Sequence, residues 1–184
     1  MGAGGNFAEA RGVSKKEYSE RRLIGYSMDE MFRVISAVPE YADFVPCCRR
    51  SRVIGKKTEK ADCVVKEVKM EVGFPPLVAE TLVSTVMTAR PHLVKAVCTE
   101  STFFKHLVCD WRFGPGLPSD RRTCSVEFSV SFELRDQWCS GLADVYFDRL
   151  VRQQVDTFLG RARTKYGQPS IPPQPPIVIK RVNI

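Results

Sequence analysis

Residues 111–113 place an arginine between two aromatic residues, Trp111, Arg112 and Phe113, on a stretch that reads as a β-strand. Alternation along a strand sends both rings to one face and the guanidinium to the other. Surface pairing with Asp or Glu is the plain expectation for Arg112. His106 sits beside a turn with no carboxylate partner in sequence and reads as structural. Seven cysteines, at 47, 48, 63, 98, 109, 124 and 139, form an odd set without a C-x-x-C, and only His92 and His106 could supplement them. Neither a disulfide framework nor a structural zinc site is expected, and a reducing compartment is favoured. Most of these thiols read as small buried hydrophobes. The motifs G-x-G-x-x-G, G-x-x-x-x-G-K-[ST], G-x-S-x-G and H-E-x-x-H are absent, so phosphate-cradle, nucleophile-elbow and zincin chemistry lack local support. No catalytic residue, metal or catalytic cofactor is expected.

A second stretch suggests binding rather than catalysis. Residues 72–78 read VGFPPLV, an almost wholly apolar connection between two predicted strands. Loops run over the surface and are ordinarily polar. Two consecutive prolines are awkward inside a paired strand, which argues for an exposed apolar loop over a segment folded back into the core.

The 184 residues are 43% hydrophobic, enough for one domain with a substantial core. No window approaches the run of about 20 apolar residues that a spanning helix needs. The formal charge of +7 suggests an anionic partner, nucleic acid or an acidic membrane surface. Basic residues concentrate at Arg49, Arg50, Arg52, Lys56 and Lys57, and again at Arg149, Arg152, Arg161, Arg163 and Lys165. Residues 1–16 lack an apolar h-region and make a poor organellar presequence, so they read as a flexible leader. Residues 168–184 open with five prolines between 169 and 176, which predicts a disordered, proline-rich tail after a domain spanning 17–167.

Within that domain, CSVEFSVSFEL (124–134) alternates apolar with Ser or Glu at every step, the mark of an antiparallel strand with one wet face. Weaker alternation and turn residues predict about seven strands, near 17–25, 51–57, 64–72, 77–89, 93–98, 106–113 and 124–134. Ser27-Met28-Asp29-Glu30 is a capping box opening a short helix, with another turn at Pro39. Residues 137–166 contain no proline and carry Ala143, Phe147, Leu150, Val151, Phe158 and Ala162 at helical spacing. The order is strand, short helices, a meander of strands and one long C-terminal helix. A sheet with one apolar face must be covered, and only the final helix is long enough. The wedge between the curved sheet and that helix is a candidate ligand cavity.

YSERRLIGYS, EYADFVP, VGFPPLV, HLVKAVC, HLVCDWRFGPG, RTCSVEFSVSFEL and the terminal TKYG, in this order over about 18–167, resemble the coenzyme Q-binding proteins of the START-like, polyketide-cyclase-related superfamily. Where that family usually has a tryptophan after FVP, this chain has Cys47-Cys48. The resemblance implies an α+β helix-grip fold. It also implies a mitochondrial protein, peripheral on the matrix side of the inner membrane, that supports respiration and ubiquinone biosynthesis. Its implied ligand is ubiquinone (coenzyme Q) or a late precursor, bound as cargo and not as a catalytic cofactor.

On that footing Val72, Phe74, Pro75, Pro76, Leu77, Trp111, Phe113, Phe147 and Val151 are the expected cavity and mouth residues. Phe74, Leu77 and Val78 are the expected membrane contacts, with anionic inner-membrane lipid below the loop and a basic helix face beside it. An inward Arg112 would donate to a quinone carbonyl. Further expected partners are ubiquinone biosynthetic or respiratory complexes, with no DNA. The competing expectations are a ribosome- or RNA-associated regulator, a cyclase-like enzyme of the same superfamily and a scaffold presenting its proline-rich tail. Against RNA, the wet face of 124–134 is Ser and Glu and offers no stacking platform.

Overall fold

The computed structural model describes residues 15–60, 63–73, 79–135 and 140–182, with the side chains of 59, 60, 140–147 and 150 outside the description. Strands β1 (Lys16–Ile24), β2 (Cys48–Lys60), β3 (Cys63–Gly73), β4 (Ala79–Ala89), β5 (Leu93–Glu100), β6 (Phe104–Pro115), β7 (Cys124–Leu134) and β8 (Ile177–Val182) form one sheet. Its order is β2-β3-β4-β5-β6-β7-β1-β8, and every neighbouring pair is antiparallel. Between β1 and β2 lie helix α1 (Met28–Ser36) and a 3₁₀ segment (Val38–Asp43); helix α2 (Ser140–Tyr166) follows β7.

The strict alternation in β7 becomes strict alternation of burial: Cys124, Val126, Phe128, Val130, Phe132 and Leu134 are buried and the residues between them half-buried. Those apolar side chains form the core together with Met31, Phe32, Val34 and Ile35 of α1 and Val151, Val155, Phe158 and Ala162 of α2. The positions on α2 recur at i, i+4, i+7 and i+11, one stripe of a helix laid on a sheet. α1 starts as its sequence dictates, with the Glu30 amide donating to Ser27 Oγ (3.2 Å) and the Ser27 amide to Glu30 Oε2 (2.8 Å). α2 stops at Gly167, whose φ of +80° suits glycine and whose amide reaches back to the Arg163 carbonyl at 2.9 Å.

α2 is held across the sheet by charged contacts on both flanks. On one side Glu40 of the 3₁₀ segment accepts from Arg161 (2.9 Å) and Lys165 (2.5 Å). Those two hydrogen bonds, Lys165 foremost, keep the Glu40 carboxyl below its ordinary value. On the other, Arg22 of β1 donates to Asp156 of α2 (2.5 Å) and to Glu20 (2.7 Å), which also accepts from Tyr18 (2.5 Å). Glu20 is 1% exposed, so this knot lies in the interior on the helix-facing side of β1.

The C-terminal segment differs from the disordered tail expected. Prolines fill the segment after the helix, but the six residues after Pro176, IVIKRV, contain none, so each can donate to a ladder and they add β8 to the open edge of β1. The connecting strap is pinned: Arg122 donates to the carbonyls of Tyr166 (2.9 Å) and Gln168 (3.0 Å), Tyr26 to Gly167 (2.7 Å) and the Ser170 amide to Gly25 (2.9 Å). A side chain at Gly25 would collide with that strap, because an added Cβ would lie 2.7 Å from the amides of Ser170 and Ile171. The sheet therefore has eight strands and extends past residue 167.

Candidate ligand cavity

An apolar cavity of about 210 Å³ lies between the inner face of the sheet and α2. β7 supplies Phe128, Val130 and Phe132 to its floor, β6 supplies Leu107, Cys109 and Trp111, and β3 supplies Met70 and Val72. Val151, Gln154 and Phe158 of α2 form the roof, and the corner from the 3₁₀ segment into β2 closes one side with Tyr41, Val45, Pro46, Cys47 and Cys48. Aromatic edges stiffen this wall. Phe158 meets Trp111 at 5.0 Å, Tyr41 at 5.2 Å and Phe44 at 5.3 Å between ring centroids, and Trp111 lies 4.4 Å from Phe128.

Polar groups are few. Tyr41 spends its hydroxyl on the Ile35 carbonyl (2.5 Å), and burial raises its pKa. Burial pushes the Cys109 thiol up to about 12 and also raises Cys48, so both stay protonated at neutral pH. The half-buried Gln154 amide has no hydrogen-bond partner among the described residues. The wall offers a flat or branched apolar ligand extensive contact, with Gln154 as its uncommitted polar group. Among the described residues no cluster of His, Cys, Asp and Glu could hold a metal ion.

This architecture has known counterparts. The polyketide cyclase/dehydrase and lipid transport family matches residues 24–159. The chain belongs to that family. A mitochondrial coenzyme Q-binding protein, COQ10 homolog B of Xenopus laevis, is 40% identical over 161 residues, which cover 88% of this chain. The chain spans 64% of that relative, under two thirds of its length. A ribosome association toxin, RatA of Vibrio cholerae, is 25% identical over 157 residues, covering 83% of this chain and 99% of the toxin. Among solved structures, a START superfamily protein from Mycobacterium smegmatis superposes with a TM-score of 0.67 over 82% of this chain and 99% of its own, at 9% identity, which speaks to fold alone.

In this member of the family, Val72, Trp111 and Val151 stand on the cavity wall. Phe113 does not: it lies further along β6, buried, with its ring edge-on to Phe32 of α1 at 6.3 Å. Two residues along a strand share a face, yet α1 rather than α2 covers that end of β6, so Phe113 belongs to the core beneath α1. Arg112 points to the outer face and pairs with Asp110 at 3.1 Å, away from any ligand in the cavity. His106 meets the Ser131 hydroxyl at 3.1 Å on the same outer face. Phe74, Pro75, Pro76, Leu77 and Val78, and the Phe147 side chain, lie outside the described residues.

The roots of the apolar loop are described, and they sit at the cavity rim. The Gly73 amide donates to the carbonyl of cavity-lining Cys47 at 2.8 Å, and Cβ built on Gly73 would touch the Arg49 guanidinium. Arg52 and Lys69 face each other across β2 and β3 on the outer surface, a like-charge pair. The expected basic face of α2 is reduced, because Arg161 and Lys165 turn to Glu40 and Arg152 to Asp148 (2.8 Å).

Sequence reasoning missed Tyr41, Val45, Pro46, Gln154 and the thiols of Cys47, Cys48 and Cys109 as wall residues. The EYADFVP motif, the reading of the thiols as buried hydrophobes and the replacement of a family tryptophan by Cys47-Cys48 were the signals available. Gln154 had none, because a polar residue on a long helix reads as solvent-facing until the helix is docked.

Proposed function

We propose that the chain binds ubiquinone, or a late precursor of it, in this cavity and carries it without transforming it. The observation that supports this most is an almost wholly apolar, aromatic-walled cavity whose uncommitted polar group is the Gln154 amide, in a chain 40% identical to a named coenzyme Q-binding protein. A quinone ring stacks on aromatic walls, its carbonyl accepts from Gln154, and burial of its apolar carbon is favourable by roughly 25 cal/mol per Å². The protonated Cys48 and Cys109 present no thiolate to an electrophilic ring. The protein acts as a mitochondrial carrier, peripheral on the matrix side of the inner membrane. There it exchanges ligand with the bilayer and serves respiratory or biosynthetic complexes.

The membrane contact falls at the 74–78 loop. That loop springs from the cavity rim beside Arg49, so apolar side chains and cations meet the same interface. Replacing Phe74 and Leu77 by Asp is expected to weaken binding to vesicles of anionic phospholipid by tenfold or more, with the circular dichroism spectrum unchanged. Undiminished vesicle binding removes the loop from the account.

The function itself is tested by purifying the protein from a quinone-producing host, extracting it with organic solvent and identifying bound lipid by mass spectrometry. Near-stoichiometric ubiquinone, reduced in Val151→Trp, supports the carrier. An empty protein that co-purifies with RNA in a salt-dependent way would favour the activity suggested by the ribosome-associated relative.

A further inference from the structure

Resting on the carrier function, the structure adds a second subsite. A groove of about 240 Å³ opens between α1 with the start of the 3₁₀ segment on one side and β3 with β4 on the other. Phe32, Pro39, Val64 and Val68 make it apolar, while Ser36, Lys66, Thr88 and Arg90 mark its polar lining. Val38 and Val86 line both this groove and the main cavity. They are 5% and 3% exposed, so they form a thin partition with empty space on either side.

The volumes give the partition a purpose. The main cavity, at about 210 Å³, falls below the roughly 300–1,000 Å³ of ordinary small-molecule sites. It is large enough for a substituted ring and the start of a chain, and too small for a polyisoprenoid tail. A tail left in water would forfeit the burial that makes the complex favourable. Among the described residues, the groove is an apolar space that adjoins the ring site past two side chains without polar atoms. Each valine has one rotatable side-chain bond, so small shifts of the 3₁₀ segment against β4 suffice to join the two spaces.

We propose that the polyisoprenoid chain threads between Val38 and Val86 into the groove between α1 and β3–β4, and leaves it beside Lys66 and Arg90, with the ring held in the main cavity. The protein is then a tunnel with two ends, and tail length is read at the second.

The test compares ubiquinone homologues with one or two isoprene units against a long-chain homologue, using full-length protein in detergent and fluorescence quenching of the cavity tryptophan. If the wild type binds neither, the carrier function fails, and the tunnel with it. If it binds both, Val86→Phe, which plugs the partition, is expected to weaken the long homologue tenfold or more. Because Val86 also lines the ring site, the selective loss is read in Ser36→Trp, which fills the groove from outside and is expected to weaken the long homologue tenfold or more while leaving the short ones within about twofold. Long-chain binding unchanged in Ser36→Trp overturns the tunnel while leaving the carrier function standing.

Discussion

Replacing Glu20 by Leu should be among the most damaging single changes outside the cavity. Glu20 is 1% exposed, the Arg22 side chain 10%, and they are joined at 2.7 Å. Removing the carboxylate leaves a guanidinium in the interior whose remaining partner, Asp156, is 61% exposed and therefore weak compensation. Breaking a buried pair on one side costs about 3–5 kcal/mol. In a chain of this size that lowers the melting temperature by roughly 6–20 °C, at about 2–4 °C per kcal/mol. The double change Glu20→Leu with Arg22→Met removes both charges and should recover most of the loss, because apolar replacements of a whole buried pair are nearly neutral. A residue of about 1–3 kcal/mol remains, since Tyr18 loses its acceptor, and Tyr18→Phe in the same background should remove it. The assay is urea and thermal denaturation of the four variants of the Glu20/Arg22 cycle, with the coupling energy read by difference. A single-variant loss below about 1 kcal/mol, or a double variant as damaged as the sum of the singles, would refute the reasoning that this knot is a buried, paired charge gripping α2.

Phe158→Ala, which empties a 1%-exposed site in contact with three rings, should cost about 3–5 kcal/mol in denaturant and enlarge the cavity. At pH 8 the buried Cys109 thiol, pushed up to about 12 by desolvation, should alkylate with iodoacetamide far more slowly than the same cysteine in urea, as read by peptide mass spectrometry. Equal rates in both would show that the cavity wall is open to water. Glu17, held down to about 2 by hydrogen bonds from Lys15 and from Lys180 of β8, helps retain that strand. A depressed carboxylate contributes stability that is complete above its ordinary value of 4.5 and lost as pH falls towards 2. Amide protection in β8 should accordingly drop across that interval while β7 stays protected, and Glu17→Gln should abolish the pH dependence.

The strands were legible wherever one face is wet. Alternation at 124–134 marks β7 to the residue, and the capping box marks the start of α1, because both are local: side-chain period and backbone capping need no distant partner. β8 was passed over because proline density in the strap dominated the reading of a segment whose residues 177–182 are ordinary strand formers. Val72, Trp111 and Val151 were legible as apolar residues on predicted elements, but the same pattern could not separate Phe113 from Trp111. They lie two apart on one strand face, and which helix covers each of them is a long-range fact.

By itself, the sequence determined the element types and their order from β1 to α2, the apolar face that demands a covering helix and the family to which the chain belongs. Tertiary structure alone decided that Gln154 borders the cavity, that Arg161 and Lys165 of α2 are spent on Glu40, that Phe113 lies beneath α1 and that two valines separate two apolar spaces. The physical reason is that each of these depends on how distant elements dock. Periodicity along a chain says which side of an element is apolar, and only the approach of another element decides whether that side is filled, paired or left empty.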